Sequence, residues 1–325
     1  MGNDLKPART HTPVLLIFFN RPATFQAVFD AVKAARPEKL FLACDGPRSD
    51  HPQDAEHIQQ CKTIVEDIDW VCEVHTNYAT ENLGCGMRPQ TAILWAFEFV
   101  DRLVVLEDDC VPHKSFFPYM EDLLERYKDD ERIGLICGFN HFLNWDCGND
   151  SYFYTKVGPM GGAWGSWKRV WEQYDYSLND VNDPRIQKLL QNDITFKRAK
   201  KKKVSNFVET AAKLREHVNL SYWDVQFGYL KYAQSMLSIV PRVSLASNIG
   251  LGADSTHAQN AKNTMPSIFF AAERPFSFPM QHPRVIICDH AYDDKVDSLW
   301  GYPNPIRKNF QRGIRLLKRL LHIKG

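Results

Sequence analysis

Three acids stand side by side at Glu107, Asp108 and Asp109. Adjacent carboxylates repel one another and resist burial unless a cation or hydrogen-bond donors meet them. They follow Leu103-Val104-Val105-Leu106, an apolar run of the kind that fills a strand buried on both faces. Such a strand delivers all three groups to its carboxyl end, which is where open α/β sheets bind ligands. The chemistry open to them is that of hard oxygen donors: holding a divalent cation and, through it, a diphosphate. For three acids taken alone, an acidic surface turn is the plain structural alternative.

The elements that must carry these groups are legible on either side. Residues 13–19 (PVLLIFF) read as a buried strand, broken by Asn20-Arg21-Pro22. A helix is predicted over 23–35, where Phe25, Val28, Phe29 and Val32 recur at helical spacing. A second strand over 40–44 ends in Asp45-Gly46-Pro47-Arg48. A helix over 53–68 and a strand over 70–75 follow. The glycine-containing stretch 82–89 reads as a turn into a helix over 90–99, which feeds the acidic strand. Another helix (115–127) and strand (133–139) complete the series. Strand and helix alternate throughout, the signature of a parallel sheet with crossover helices. Later, an apolar run over 237–245 and a helix over 222–234 are expected.

Composition narrows the classes. The chain has 325 residues, 44% hydrophobic and 24% charged, the profile of a globular protein with room for a large core. A formal net charge of +1 speaks against nucleic acid as a partner held by bulk charge. Eight cysteines without a CxxC pair give neither a zinc ribbon nor a thioredoxin-type motif, and several lie in apolar runs as small hydrophobes. A reducing, cytoplasmic setting is the expectation, since residues 1–13 lack the apolar core of a signal peptide. No apolar run reaches the roughly 18 residues of a membrane span. GxGxxG after the first strand, GxxxxGK[ST], GxSxG and HExxH are all missing, which removes dinucleotide, P-loop and common hydrolase readings.

LVVLEDDCVPHKSFFPYM (103–120) resembles the metal-binding segment of GT-A glycosyltransferases. It is similar above all to the N-acetylglucosaminyltransferase I type family and bacterial relatives. GPMGGAWGSWKRVWEQYD (158–175) is similar to that family's acceptor-side loop, and Tyr222-Trp223-Asp224 to its aromatic-Asp motif. The resemblance implies a GT-A fold, mostly parallel in its central sheet and flanked by helices, with residues 13–140 as the nucleotide-sugar half and 141–303 as the acceptor half of one domain. It implies Asp109 as ligand to Mn²⁺ or Mg²⁺, Asp108 near the ribose and Glu107 near the transferred sugar. Asp45 would meet the nucleotide base, in a pocket lined by Phe19, Asn20 and Arg21, and Arg88 would reach a phosphate. Asp224 would be the general base of an inverting transfer. Gly161, Gly162, Trp164 and Trp223 would receive the sugar or acceptor, and His257 would cover the metal, with Asp254 a weaker candidate. The implied partners are a nucleotide-sugar donor, with UDP first, and a carbohydrate or lipid-linked glycan acceptor.

Two plain alternatives stand beside these roles. Asp45-Gly46 is also an ordinary turn, and Asp224 is also a helix-starting acid that favours the macrodipole. A nucleotidyltransferase would need a glycine-rich basic loop after the first strand, where FFNRPATF stands. Residues 304–325 read as a basic amphipathic helix. Ile306, Phe310, Ile314, Leu317 and Leu321 share one face and seven Lys or Arg lie largely opposite, which suits either an anionic membrane surface through 306–324 or packing on the domain. A non-catalytic membrane- or carbohydrate-binding protein would use that tail alone. The run Lys197 to Lys203 is read as solvated helix surface.

Overall fold

Apolar runs without alternation become the middle of the sheet. In the computed structural model, which describes residues 5–158, 161–250 and 274–299, β1 (Val14–Phe18), β2 (Lys39–Cys44), β4 (Arg102–Glu107) and β6 (Ile133–Cys137) are buried almost throughout. That is the condition of strands covered on both faces. The polar β3 (Glu73–Tyr78) takes one edge, as exposed strands do. With β7 (Tyr152–Thr155), β8 (Ala163–Trp167) and β9 (Leu237–Pro241), the order is β3-β2-β1-β4-β8-β6-β9-β7. Six strands run one way; β7 and β8 run against them. The fold is therefore α/β, with a mostly parallel central sheet flanked by helices.

Beyond the end of β4, β5 (Cys110–Pro112) pairs with β10 (Ala246–Asn248) in an antiparallel ribbon. Its register sets Asn248 opposite Cys110, which draws residues 248–250 onto Asp109. Crossovers are made by α1 (Pro22–Ala35), α2 (Asp54–Ile64), α3 (Gly84–Ala96) and α4 (Phe116–Arg126). Pro22 opens α1, where its fixed φ fits and its missing N–H is not needed. Phe25, Val28, Phe29 and Val32 face the sheet from one side of that helix.

The short α5 (Lys168–Trp171) follows β8, and a second, smaller core lies beyond it. There α6 (Pro184–Asp193), α7 (Lys200–Arg215) and α8 (Asp224–Ala233) close over Leu178, Val181, Leu190, Val204, Phe207 and Ala211. Helix α8 serves both cores, Trp223, Phe227 and Leu230 packing with the sheet and Tyr229 with the smaller cluster. Helix α9 (His290–Leu299) lies against β7. Among the described residues no helix is long and apolar enough to cross a membrane, and the tail expected to be amphipathic lies outside them. All eight cysteines are free thiols.

Two of the boundaries that differ from the sequence expectation have a visible cause. β3 begins at Glu73 rather than at Trp70, whose ring is buried and whose Nε1 donates to the Pro37 carbonyl at 2.8 Å. Trp70 is an anchor, not a strand residue. Helix α3 begins at Gly84, taking in both glycines of the expected turn and Pro89. The cause is tertiary: a Cβ on Gly86 would stand 1.9 Å from the Leu220 carbonyl oxygen, so glycine lets the chain ahead of α8 lie on α3. In an open helix, glycine to alanine gains roughly 0.5–1 kcal/mol. Here Gly86→Ala is expected to lose about 1–3 kcal/mol through overpacking against backbone. Urea denaturation decides the sign; a stabilised variant would mean the 220 segment is free to move away.

Candidate active site

At the end of β4 each acid meets a different environment. The Glu107 N–H donates to the Gly162 carbonyl at 2.8 Å, but its carboxyl makes no hydrogen bond among the described residues. Asp108 is buried; one oxygen accepts from the Phe19 N–H at 3.2 Å, the other from the Arg21 guanidinium. Asp109 accepts from Arg21 Nη1 at 3.0 Å on Oδ2, and from Asn248 Nδ2 at 3.2 Å and the Cys110 thiol at 3.1 Å on Oδ1. Arg21 thus spans both aspartates, a charge-assisted pair of contacts. Burial works against the Arg21 charge, but Asp108 and Asp109 outweigh it and raise its pKa.

Burial also pushes Glu107 up to about 8, with Asp109 and Asp108 adding to the shift, Arg21 opposing it and Asp224 adding again. Glu107 lies deep among protein atoms yet is only partly buried. Asp108 is likewise raised by burial, against the pull of Arg21. At neutral pH the protonated Glu107 can donate a hydrogen bond. The Asp224 charge is felt at Glu107, the weakest of the influences on that carboxyl.

The residues expected around a nucleotide base are engaged otherwise. Asp45 is buried and accepts four hydrogen bonds: from Gly46 and Leu83 N–H on Oδ1, and from Asn82 Nδ2 and Gly84 N–H on Oδ2, at 2.9–3.1 Å. Its lone pairs are used in clamping the end of β2 to the start of α3, which leaves none for a base in this arrangement. Asn20 donates to Asp54 at 2.6 Å, and Arg48 grips the same carboxylate at 2.7 and 2.8 Å, holding its pKa low. The Arg48 guanidinium also lies 5.4 Å over the Phe19 ring. Arg88, expected near a phosphate, is buried, donates to Asn77 and leaves its Nε without a partner. It has no ion pair among the described residues, and burial lowers its pKa.

On the other wall, Gly162 takes φ +75°, and a Cβ there would meet Cys110 Sγ at 2.5 Å. Only glycine fits such a left-handed approach to the acidic strand. Gly161 is exposed, and its carbonyl accepts from the Cys110 thiol at 3.2 Å. Trp164 was expected as a sugar platform; it is instead fully buried on β8, stacked 5.7 Å from Trp171. Trp223 is buried against both rings. The correction has a simple cause: β8 lies between β4 and β6, so its inward indole is core. Asp224 is exposed, the first residue of α8. His257 and Asp254 lie outside the described residues.

Asn248, Cys110 and Asn82 were not singled out from sequence. A usable signal for Asn248 is the polar end of the 237–245 run just before Gly250, where a Cβ would strike Asp109 Oδ2 at 2.1 Å. Lys231 was also missed. It is buried and, among the described residues, has no carboxylate partner, donating to Ser238 Oγ at 2.9 Å and to the Gly158 carbonyl at 3.3 Å, at the root of the Gly161-Gly162 loop.

The donor chemistry fits a divalent ion of the Mn²⁺ or Mg²⁺ type. One hard carboxylate, Asp109, suffices when diphosphate and water supply the other ligands. The Arg21 guanidinium already marks Asp109 Oδ2 as a cation position. Arg21 is about a third exposed, so it has room to turn toward an incoming phosphate.

No family model and no curated protein matches the sequence. Among solved structures, the chain is similar to a UDP-glucose pyrophosphorylase complexed with UDP-glucose. That match has 10% identity and a TM-score of 0.36, and covers 72% of this chain and 91% of that one.

Two expectations follow from these placements. Trp164→Ala should cost about 3–5 kcal/mol of unfolding free energy, as large core truncations do. A change in acceptor KM with stability intact would instead return Trp164 to the sugar. The second concerns pH. Burial lowers the Lys231 pKa from 10.5 to about 8, so between those values the unfolded chain binds more protons and stability from this group rises with pH. Wild type should therefore gain on Lys231→Met between pH 8 and 10.5 in denaturant melts; a difference that stays flat would refute the shift.

Proposed function

We propose that the chain is a metal-dependent, inverting glycosyltransferase that moves a sugar from a nucleotide-sugar donor, a UDP-sugar, to a hydroxyl of a carbohydrate or lipid-linked glycan. One observation supports the reading: three acids and Arg21 gather at the end of β4, where the Asp224 charge is also felt. Asp109 would hold the divalent ion, whose chemistry there would be neutralisation of the departing diphosphate. Arg21 turns from the aspartates to the phosphates, and Asp108, freed on that side, meets the ribose. Glu107 faces the transferred sugar. Asp224 takes the proton of the acceptor hydroxyl as its oxygen bonds to the anomeric carbon and the bond to the diphosphate breaks. The Gly161-Gly162 turn brings backbone close to that sugar. Residues 13–140 supply the donor side and 141–303 the acceptor side, while 304–325 bring the enzyme to an anionic membrane face where a lipid-linked acceptor resides.

The test is donor turnover with Mn²⁺ over a panel of nucleotide sugars, alongside calorimetric binding of UDP. Asp224→Asn should keep UDP binding and lose about 10²-fold or more in transfer, the scale of a general base. Asp109→Ala should lose the Mn²⁺-dependent part of UDP binding. If no donor turns over and Asp109→Ala binds UDP as wild type does, the assignment fails. Pyrophosphate release from a sugar phosphate and a nucleoside triphosphate would point to nucleotidyl transfer instead.

A further inference from the structure

A second group of chemistry-bearing side chains lies at the far edge of the sheet. β7 is four strands from β4, roughly 19 Å at ordinary strand spacing. There Cys288 bridges to Tyr154 of β7, and the Asp289 N–H donates to the Tyr154 carbonyl at 2.7 Å. The chain then turns into α9, so that Cys288, His290 and Asp293 converge with their ligating atoms all within 4.8 Å of one another. We propose that these three side chains bind a divalent ion of the zinc class, with water in the fourth position.

The donor set is thiolate, imidazole and carboxylate, the mixture that suits tetrahedral zinc and not the all-oxygen preference of Mg²⁺. Asp293 is buried and already oriented. Its Oδ1 accepts from Thr155 Oγ1 and from the Val157 N–H at 3.2 Å, and its Oδ2 from the Lys156 N–H at 3.1 Å and the Cys288 thiol at 3.2 Å. Outer hydrogen bonds of this kind hold a ligating carboxylate in place. The thiol proton lies between Sγ and Oδ2, where the ion would sit. Binding forms an Sγ–metal bond, breaks the S–H bond and releases that proton to solvent, with no change of oxidation state. His290 is exposed, which gives the ion its entry and the imidazole freedom to close on it.

The cations nearby are balanced elsewhere. Lys156 pairs with Asp193 at 3.1 Å and Lys203 with Asp297 at 2.6 Å, while Lys231 points to Ser238 and Gly158. Bound there, the ion would tie the start of α9 to the edge strand, a structural role independent of the crevice at β4.

Cobalt titration of the purified full chain tests this directly. Co²⁺ should give a near-ultraviolet thiolate charge-transfer band with visible bands of tetrahedral intensity, and excess Zn²⁺ should abolish both. Cys288→Ser should remove the charge-transfer band. His290→Ala, an exposed position that does not threaten folding, should keep it but weaken binding by about tenfold or more, as loss of even an outer partner does at such sites. Asp109→Ala should leave the titration unchanged. Calorimetry in two buffers of different ionisation enthalpy should register one proton released per ion. Absence of the band in wild type, or its persistence in Cys288→Ser, overturns the site.

Discussion

Like charges held together at the end of one strand are the constraint around which the neighbouring backbone is built. Asp108 and Asp109 are tolerated in near-complete burial because a guanidinium spans them and the Phe19 N–H, the Asn248 amide and the Cys110 thiol fill other lone pairs. Glu107 meets the same problem differently: burial and the two neighbouring acids push its carboxyl up to about 8. Each solution requires a specific neighbour. β1 must end beside β4 to offer Phe19 and Arg21, the β5–β10 ribbon must bring Asn248 across, and Gly162 must lack a side chain. Arg21 sets a single positive charge against the two aspartates it spans. That balance favours an arriving cation.

The other buried carboxylates of this end serve the opposite purpose. Asp45 and Asp54 are satisfied by the chain itself, one by four donors and the other by Arg48 and Asn20. A buried acid with a full set of internal partners is a clamp, whereas one balanced by a single part-exposed cation can exchange that partner. The distinction separates residues that shape the crevice from those that can face a ligand. Chain position gives no hint of it, since both kinds follow strands at the same edge.

What could be read from the residues, and what could not, has physical causes. β1, β2, β4 and β6 were legible because two-sided burial demands unbroken apolar runs, and Leu103 to Leu106 announced where the acids would be delivered. β8 was not legible. Ala163-Trp164-Gly165-Ser166-Trp167 reads as a glycine-rich aromatic loop, and only its place between β4 and β6 turns Trp164 into core. Of the helix over Lys200–Arg215 only the lysine-rich start was read as helix surface, while Val204, Phe207 and Ala211 carry its stripe into the smaller core. Side-chain partners such as those of Asp45 depend on which loops meet. Local pattern does not encode that.

Helix α8 is wedged between two cores that share few other obligations. Its sheet-facing residues fix it to β8 through Trp223, while Tyr229 answers to the helical cluster of Leu178 to Ala211. Repacking that outer cluster would therefore tilt the helix and carry the Asp224 carboxylate with it, while the strand ends kept their register. The fold thus divides its inheritance: one region can drift in sequence and so re-aim the Asp224 carboxylate, and the acidic strand need not change with it.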